Sequence, residues 1–299
     1  MIKNVDLSLE KRKNYQTEDK KNMALTAERY AELNELCRRF RIDVLTAIHA
    51  AQSGHPGGSL SVCEILTYLY QEHMNIDAQR PNDPDRDRLV LSKGHAAPML
   101  YRNLAEKGFF PVEDMMTLRR MGGLAGHPSM HTPGVEIPGG PLGQGFPAAQ
   151  GMALALKLNN SPAKVYAVLG DGELDEGVIW ETAMSAPKFK LDNLIAIVDY
   201  NKVQLDGTTD EVMPLGDLSA KWEAFGWTVL ECDGHDLEAL DFCINVADGA
   251  VGAPTVIIAN TVKGKGVSFM EGKSAWHGKA IDDESFAKAM EELGGAVNA

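Results

Sequence analysis

The sequence predicts an α/β fold: a doubly wound, mostly parallel sheet with helices on both faces. Three continuously apolar runs, VYAVL (165–169), LIAIV (194–198) and TVIIA (255–259), read as strands covered on both sides, as in a parallel sheet. Helix-length segments separate the strands, giving the alternation of βαβ units. Four expected strand ends carry unusual polar residues: SKGH (92–95), GDG (170–172), DYN (199–201) and NTVKGKG (260–266). Ligands of such sheets bind beyond the carboxyl ends of the strands, so chemistry is expected at these four places.

From Met23 the pattern is helical. Leu33, Cys37, Phe40, Val44, Ile48 and Ala51 recur at steps of three and four, forming one apolar stripe. Ser53 and Gly54 end it, with Pro56 just beyond. A second helix is expected from Ser61, where Glu64 would complete a capping box, to about Met74. A short strand at 89–91 and the KGH loop lead into another helix. Residues 121–145 are too rich in Gly and Pro for regular structure, and a loop of this length inside a compact domain is usually functional. The chain then alternates: a helix to Leu158, strand 164–169, helix 173–188, strand 194–200, a helix near 218–225, strand 227–232, a helix near 237–246, strand 255–259, and a last helix ending near Glu292. The expected organisation is a polar tail over residues 1–22 and one domain over 23–299.

Composition narrows the function classes. The chain of 299 residues carries 42 acidic and 29 basic side chains, a net charge of −13. Such a charge repels a phosphate backbone, which argues against nucleic-acid binding. The four cysteines show no paired spacing, which suits a reducing compartment. No apolar run reaches the roughly 18 residues of a membrane span, and the first 22 residues lack the apolar stretch of a signal peptide. The expected location is the cytoplasm.

GDGELD (170–175) follows a strand and opens a helix, which invites a dinucleotide reading. Asp175 stands where the third glycine of G-x-G-x-x-G belongs, and Asp171 would set a bare carboxylate against a pyrophosphate. A cation between the two removes that conflict. Asp171, the Asn201 amide oxygen at the end of the next strand and the Val203 carbonyl can supply three of the roughly six oxygens a Mg²⁺ ion requires, and a right-handed crossover brings those strand ends together. Either side chain alone reads equally well as a helix cap or a turn residue; the pair at adjacent strand ends favours a shared ion. Two other signals fail. His127-x-x-x-His131 lies in a Pro- and Gly-rich segment that denies it a helix, and the GKS at 272–274 lacks the first glycine of a P-loop. His49, His73 and His235 read as helix or loop residues without a chemical role. Lys263 and Lys265 read as loop solvation, with a phosphate contact as the alternative.

GDGELDEG followed by NKVQLDG resembles the diphosphate and metal motif of thiamine-diphosphate enzymes. SGHPGGSLS, DRLVLSKGHAAPMLY, GLAGHPS, PGGPLGQG and WHGKA narrow the resemblance to transketolases, over about residues 23–279. The resemblance implies that Asp171, Asn201 and the Val203 carbonyl hold Mg²⁺ or Ca²⁺, and that Gly172, His95 and His277 contact the diphosphate of thiamine diphosphate. It gives His277 a second role at the substrate, and His55 and His127 the donor sugar's hydroxyls. Gly140 and Leu142 would touch the thiamine portion, and Glu176 and Glu181 would face a partner. Histidine suits the proton exchange that cleavage of a ketose C–C bond demands near neutral pH. Ser129 departs from the family, where an acidic residue often follows GHP.

In transketolases a glutamate that activates the cofactor lies on a second, pyrimidine-binding domain, and this sequence has no counterpart to it. The resemblance therefore implies the N-terminal subunit of a split transketolase. Such a subunit would transfer a two-carbon ketol unit from a ketose phosphate to an aldose phosphate together with a C-terminal subunit, as a heterotetramer, in the pentose phosphate pathway. The alternative is an α-type subunit of another thiamine-diphosphate enzyme, a 2-oxo acid dehydrogenase or a deoxyxylulose-phosphate synthase.

Overall fold

The computed structural model describes residues 25–295. The expected polar tail over 1–22 and its boundary at Met23 lie outside them. Helix α1, Ala27–Ala51, is N-capped by the Thr26 hydroxyl, which accepts from the Arg29 amide at 3.2 Å. Its stripe Leu33, Cys37, Phe40, Val44 and Ile48 is buried. Gln52 in the left-handed conformation closes it.

The next helix differs from expectation. It begins at Pro56, not Ser61, and comes in pieces: α2, Pro56–Ser61, then α3, Cys63–Tyr68, continued by a π-helical turn, Leu69–His73. Proline with its preset φ starts α2. The capping box does not form because both its side chains have tertiary partners. The Ser61 hydroxyl donates to Asp199 at 2.6 Å, and Glu64 binds Arg41 and His235.

Strand β1, Arg88–Leu91, leads through a 3₁₀ turn, Gly94–Ala96, into α4, Ala97–Glu106. Residues 121–144 form turns and bends up to α5, Gly145–Leu158. Strand β2, Val165–Gly170, ends in a 3₁₀ turn, Gly172–Asp175, and α6 starts only at Gly177, running to Lys188. The single helix expected from Glu173 is broken there because the Glu173 carboxylate turns inward and accepts from the Gly170 and Gly143 amides at 3.1 and 2.7 Å. Strand β3, Leu194–Tyr200, is followed by the short α7, Thr209–Val212, and by α8, Leu218–Ala224. Then come β4, Thr228–Asp233, α9, Leu237–Asp248, β5, Thr255–Asn260, and α10, Asp283–Leu293.

The five strands form one parallel sheet in the order β1-β2-β3-β5-β4. Alternate residues of each strand feed opposite cores. Tyr166, Val168, Ile195 and Ile197 pack with α1, α3, α4, α9 and α10; Val165, Ala167, Leu169, Ala196 and Val198 pack with α5, α6 and α8. Each fully buried Val, Leu or Ile contributes about 1.5–3 kcal/mol. Both faces being covered, a ligand has access at the strand ends, where Lys93, Asp171, Asn201 and Lys263 follow β1, β2, β3 and β5.

Candidate active site

A cleft of about 170 Å³ lies over these strand ends, lined among others by Lys93, His95, Leu142, Asp171, Gly172, Asn201, Val203, Lys263 and His277. Gly170 on β2 registers with Asp199 on β3, so the segments beyond the two strands run side by side. Asp171 is buried, and its two carboxylate oxygens accept from the Gly172 amide at 2.8 Å and from the Lys202 amide. It caps the 3₁₀ turn and ties it to the loop after β3, so the cap and the pairing with the next strand end coexist. Asn201 is buried, its side-chain oxygen accepting from the Val203 amide at 3.1 Å. The Val203 carbonyl accepts from the Lys263 ammonium at 2.8 Å.

No salt bridge involves Asp171 among the described residues. Burial raises its carboxyl to about 6, with neighbouring Asp199 adding, against the Lys202 and Gly172 amides and Lys93. Burial and the Lys93 charge lower the Lys263 ammonium to about 8, opposed by Asp171 and Asp199. One wall of the cleft thus offers oxygens and the other N–H donors, the two halves that a divalent cation with a diphosphate requires.

The histidines meet above this floor. His55 lies 5.4 Å from His95, 5.6 Å from His127 and 5.7 Å from His277 between ring centroids, and His95 lies 4.8 Å from His277. Residues separated by more than two hundred positions therefore form one cluster. Burial lowers His55 to about 4, with Arg119, His127 and Lys263 adding, and lowers His277 to about 3, with Lys263, His55 and Lys93 adding. His95 is driven well below 6.5 by burial and Lys93, and His127 is lowered by burial and Arg119. All four are neutral at neutral pH. The Lys263 ammonium, a donor only, reaches His277 Nδ1 at 2.8 Å, so the His277 proton sits on Nε2. Tyr101 donates to the His127 carbonyl at 2.7 Å and fixes that segment.

The Gly-rich loop closes against the cluster through contacts that admit no side chain. A Cβ on Gly94 would lie 2.9 Å from the Gly140 amide nitrogen, and one on Gly58 would lie 2.7 Å from His95 Nε2. Gly140 itself has φ 148, open to glycine. Leu142 is 40% exposed and lines the cleft. Glu173, fully buried, anchors the loop through the Gly143 amide and also accepts from the Ser92 hydroxyl.

Sequence reasoning gave no role to Lys93 and Asp199, which form a buried ion pair whose lysine lines the cleft. Burial alone would raise the Asp199 carboxyl, but Lys93 and the Ser61 and Thr261 hydroxyls bring it below the usual carboxylate range. Both residues stand at flagged strand ends, which was the available signal. Glu176 and Glu181 are exposed on the turn before α6 and on α6. His49 stacks on Phe286 and pairs with Asp283, and His73 bonds Tyr166, as residues without chemistry would. Lys265 lies 3.9 Å from Glu271, and His131 is exposed. Among the described residues no three His, Cys, Asp or Glu side chains cluster as a metal site, so an ion here depends on the mixed oxygen set. No helix among them is long and apolar enough to cross a membrane.

The family model described as "Transketolase, thiamine diphosphate binding domain" matches residues 33–298. The chain is 51% identical over 242 residues to the 6-deoxy-6-sulfo-D-fructose transketolase subunit SqwG of Clostridium sp. (strain MSTE9), covering 80% of this chain and 88% of that protein. It is 44% identical over 269 residues to an apulose-4-phosphate transketolase subunit of Actinobacillus succinogenes, covering 88% of this chain and 96% of that protein. The transketolase structure from Campylobacter jejuni superposes with a TM-score of 0.85 at 34% identity, covering 89% of this chain and 43% of that one. Against human transketolase the identity is 39%, over 87% of this chain and 42% of that protein. The chain thus spans less than half the length of these last two. These matches set aside the 2-oxo acid dehydrogenase and deoxyxylulose-phosphate synthase alternatives. This chain belongs to the transketolase family, of which it carries the thiamine-diphosphate-binding domain.

Proposed function

We propose that this chain is the diphosphate-binding subunit of a two-subunit transketolase, which transfers a two-carbon ketol unit between sugars together with a second polypeptide. The observation that carries the reading is the cleft in which the oxygens of Asp171, Asn201 and Val203 meet the N–H donors of Lys93, Lys263, His95 and His277. Similarity over most of the length of two proteins named as transketolase subunits supports the division of labour.

In this reading Asp171, Asn201 and the Val203 carbonyl would hold a divalent cation, Mg²⁺ or Ca²⁺, and the Lys263 ammonium would offer its charge to the diphosphate. Gly172, His95 and His277 add donors to it. Gly140 and Leu142 border the thiamine portion. When bound, thiamine diphosphate supplies the carbon nucleophile and electron sink for cleaving a ketose C–C bond. The chain's own part is to handle protons and exclude water. Neutral His55 and His127 can accept a hydroxyl proton and return it, and His277 presents Nε2–H as a donor. Glu176 and Glu181, both exposed, are assigned to the partner-facing side.

The pyrimidine-binding portion and the activating glutamate come from the partner, a C-terminal-type subunit. The relatives' names speak of ketoses ending in a sulfonate or a phosphate, and we assign the donor to that class, with a heterotetramer in the cytoplasm as the working assembly. Co-expression with a C-terminal-type subunit tests this. The pair is expected to transfer ketol units from a ketose phosphate or sulfonate, the single chain at most about a hundredth as fast. Equal turnover by the purified single chain would overturn the two-subunit reading.

A further inference from the structure

Lys263 is buried, and its backbone is held in place from below by a group to which the sequence alone gives no role. Glu64, also buried, accepts from the Arg41 guanidinium at 2.7 and 2.8 Å and from His235 Nδ1 at 2.8 Å. Each of those partners then grips the segment after β5. His235 Nε2 accepts from the Val262 amide at 2.8 Å, and Arg41 Nε donates to the Lys265 carbonyl at 3.0 Å. The two grips fall on either side of Lys263. The Lys263 carbonyl accepts from the Gly272 amide at 2.9 Å, and the Gly264 amide donates to the Gly57 carbonyl at 3.0 Å, which completes the fixation.

The donors and acceptors leave His235 one protonation pattern. A carboxylate only accepts and a backbone amide only donates, so His235 carries its proton on Nδ1 and presents a lone pair at Nε2. A second proton would set two N–H groups against each other at Val262. Arg41 and Glu64 cross from α1 to α3, and His235 stands in the turn before α9. The bracket therefore connects two helices and the turn before α9 to one strand-end loop. Glu64 is held below its ordinary range by Arg41 and His235 even though burial alone would raise it. A buried ion pair of this kind is weak evidence for stability, because desolvation offsets most of the attraction. Its worth lies in the single arrangement it enforces.

We propose that Arg41, Glu64 and His235 form a positioning bracket for Lys263, holding its ammonium in the lining of the cofactor cleft. None of the three touches the cleft; they act through the Val262 amide and the Lys265 carbonyl. The proposal rests on the reading of the cleft as the thiamine-diphosphate site and adds to it the residues that set the place of one of its cations.

The test compares His235→Phe, which keeps a buried ring and deletes both bonds, with His235→Gln, which keeps one donor and one acceptor. The protein is used together with any subunit that co-purifies with it, and the probe is thiamine diphosphate with Mg²⁺. His235→Phe is expected to raise the cofactor Kd about tenfold, as loss of outer partners of a binding site typically does, by more than it lowers kcat at saturating cofactor. His235→Gln should recover part of the affinity. Amide hydrogen exchange read without cofactor should quicken at 262–265 in His235→Phe and not in strands β2 and β3. Wild-type binding left unchanged by His235→Phe, or exchange at 262–265 left unchanged, overturns the bracket alone. Failure of the wild type to bind overturns the cofactor reading and the bracket's role with it. If His235→Phe unfolds, His235→Gln decides: a Kd raised less than tenfold together with faster exchange at 262–265 supports the bracket, and equality with the wild type in both overturns it.

Discussion

Asp171 is a buried carboxylate whose hydrogen-bond partners, among the described residues, are two backbone amides and no cation. Such a group is costly unless something else brings positive charge to it. If that something is Mg²⁺ with thiamine diphosphate, ligand at a hundredfold excess over Kd stabilises the fold by about 2.7 kcal/mol. At roughly 2–4 °C per kcal/mol for a chain of this size, the unfolding midpoint should rise by roughly 5–10 °C. Asp171→Ala should abolish that rise while leaving the ligand-free midpoint within a few degrees, and paired thermal melts with and without Mg²⁺ read both. A second residue-scale prediction concerns His55, lowered from 6.5 to about 4 by burial with Arg119, His127 and Lys263 nearby. The unfolded chain takes up this proton first, so the stability contribution is complete above pH 6.5, falls as the pH drops below it, and is gone below about 4. His55→Gln should flatten the ligand-free stability profile between those limits; an unchanged slope would contradict the assignment. Of the side chains that meet in the cleft, Asp171, Asn201 and His95 at strand ends and His55, His127 and His277 on loops between elements were readable because they sit in short motifs. Lys93 with Asp199, and Glu64 with His235, were not, because their partners are 106 and 171 residues away in sequence.

At the level of elements, local sequence was a good guide where one term dominates. The strands were legible because VYAVL, LIAIV and TVIIA are buried on both faces and leave no helical reading of comparable length. The boundaries at Ser61 and Glu173 were misread because capping signals and helical propensity are worth about 1 kcal/mol, less than the inward bonds these side chains make to Asp199, Gly143 and Gly170. The glycine contacts give a paired prediction. Gly94→Ala sets a Cβ 2.9 Å from backbone, which no side-chain rotation relieves, and should cost about 1–3 kcal/mol and displace the loop around Gly140. Gly151→Ala, inside α5 with nothing within 4 Å of the added carbon, should gain about 0.5–1 kcal/mol. Denaturant midpoints measure both; similar shifts for the two would contradict the close-approach account.

Over the whole molecule, the parallel sheet and its two covered cores leave one functional edge. The order β1-β2-β3-β5-β4 sets the ends of β1, β2, β3 and β5 side by side, so motifs scattered from residue 55 to 277 converge. Fold class and cofactor class could be read from the sequence because the motifs are local and come in order. The choice of sugar could not, since none of the motifs singled out in the sequence distinguishes one sugar from another. The central claim is that a divalent cation joins the protein's oxygens to the cofactor's diphosphate. The direct measurement is a calorimetric titration of thiamine diphosphate into the protein with its co-purifying subunit, with Mg²⁺ and with chelator, for wild type and Asp171→Ala. The account predicts saturable binding only for the wild type with Mg²⁺. Binding of equal affinity in chelator, or in Asp171→Ala with Mg²⁺, would contradict it.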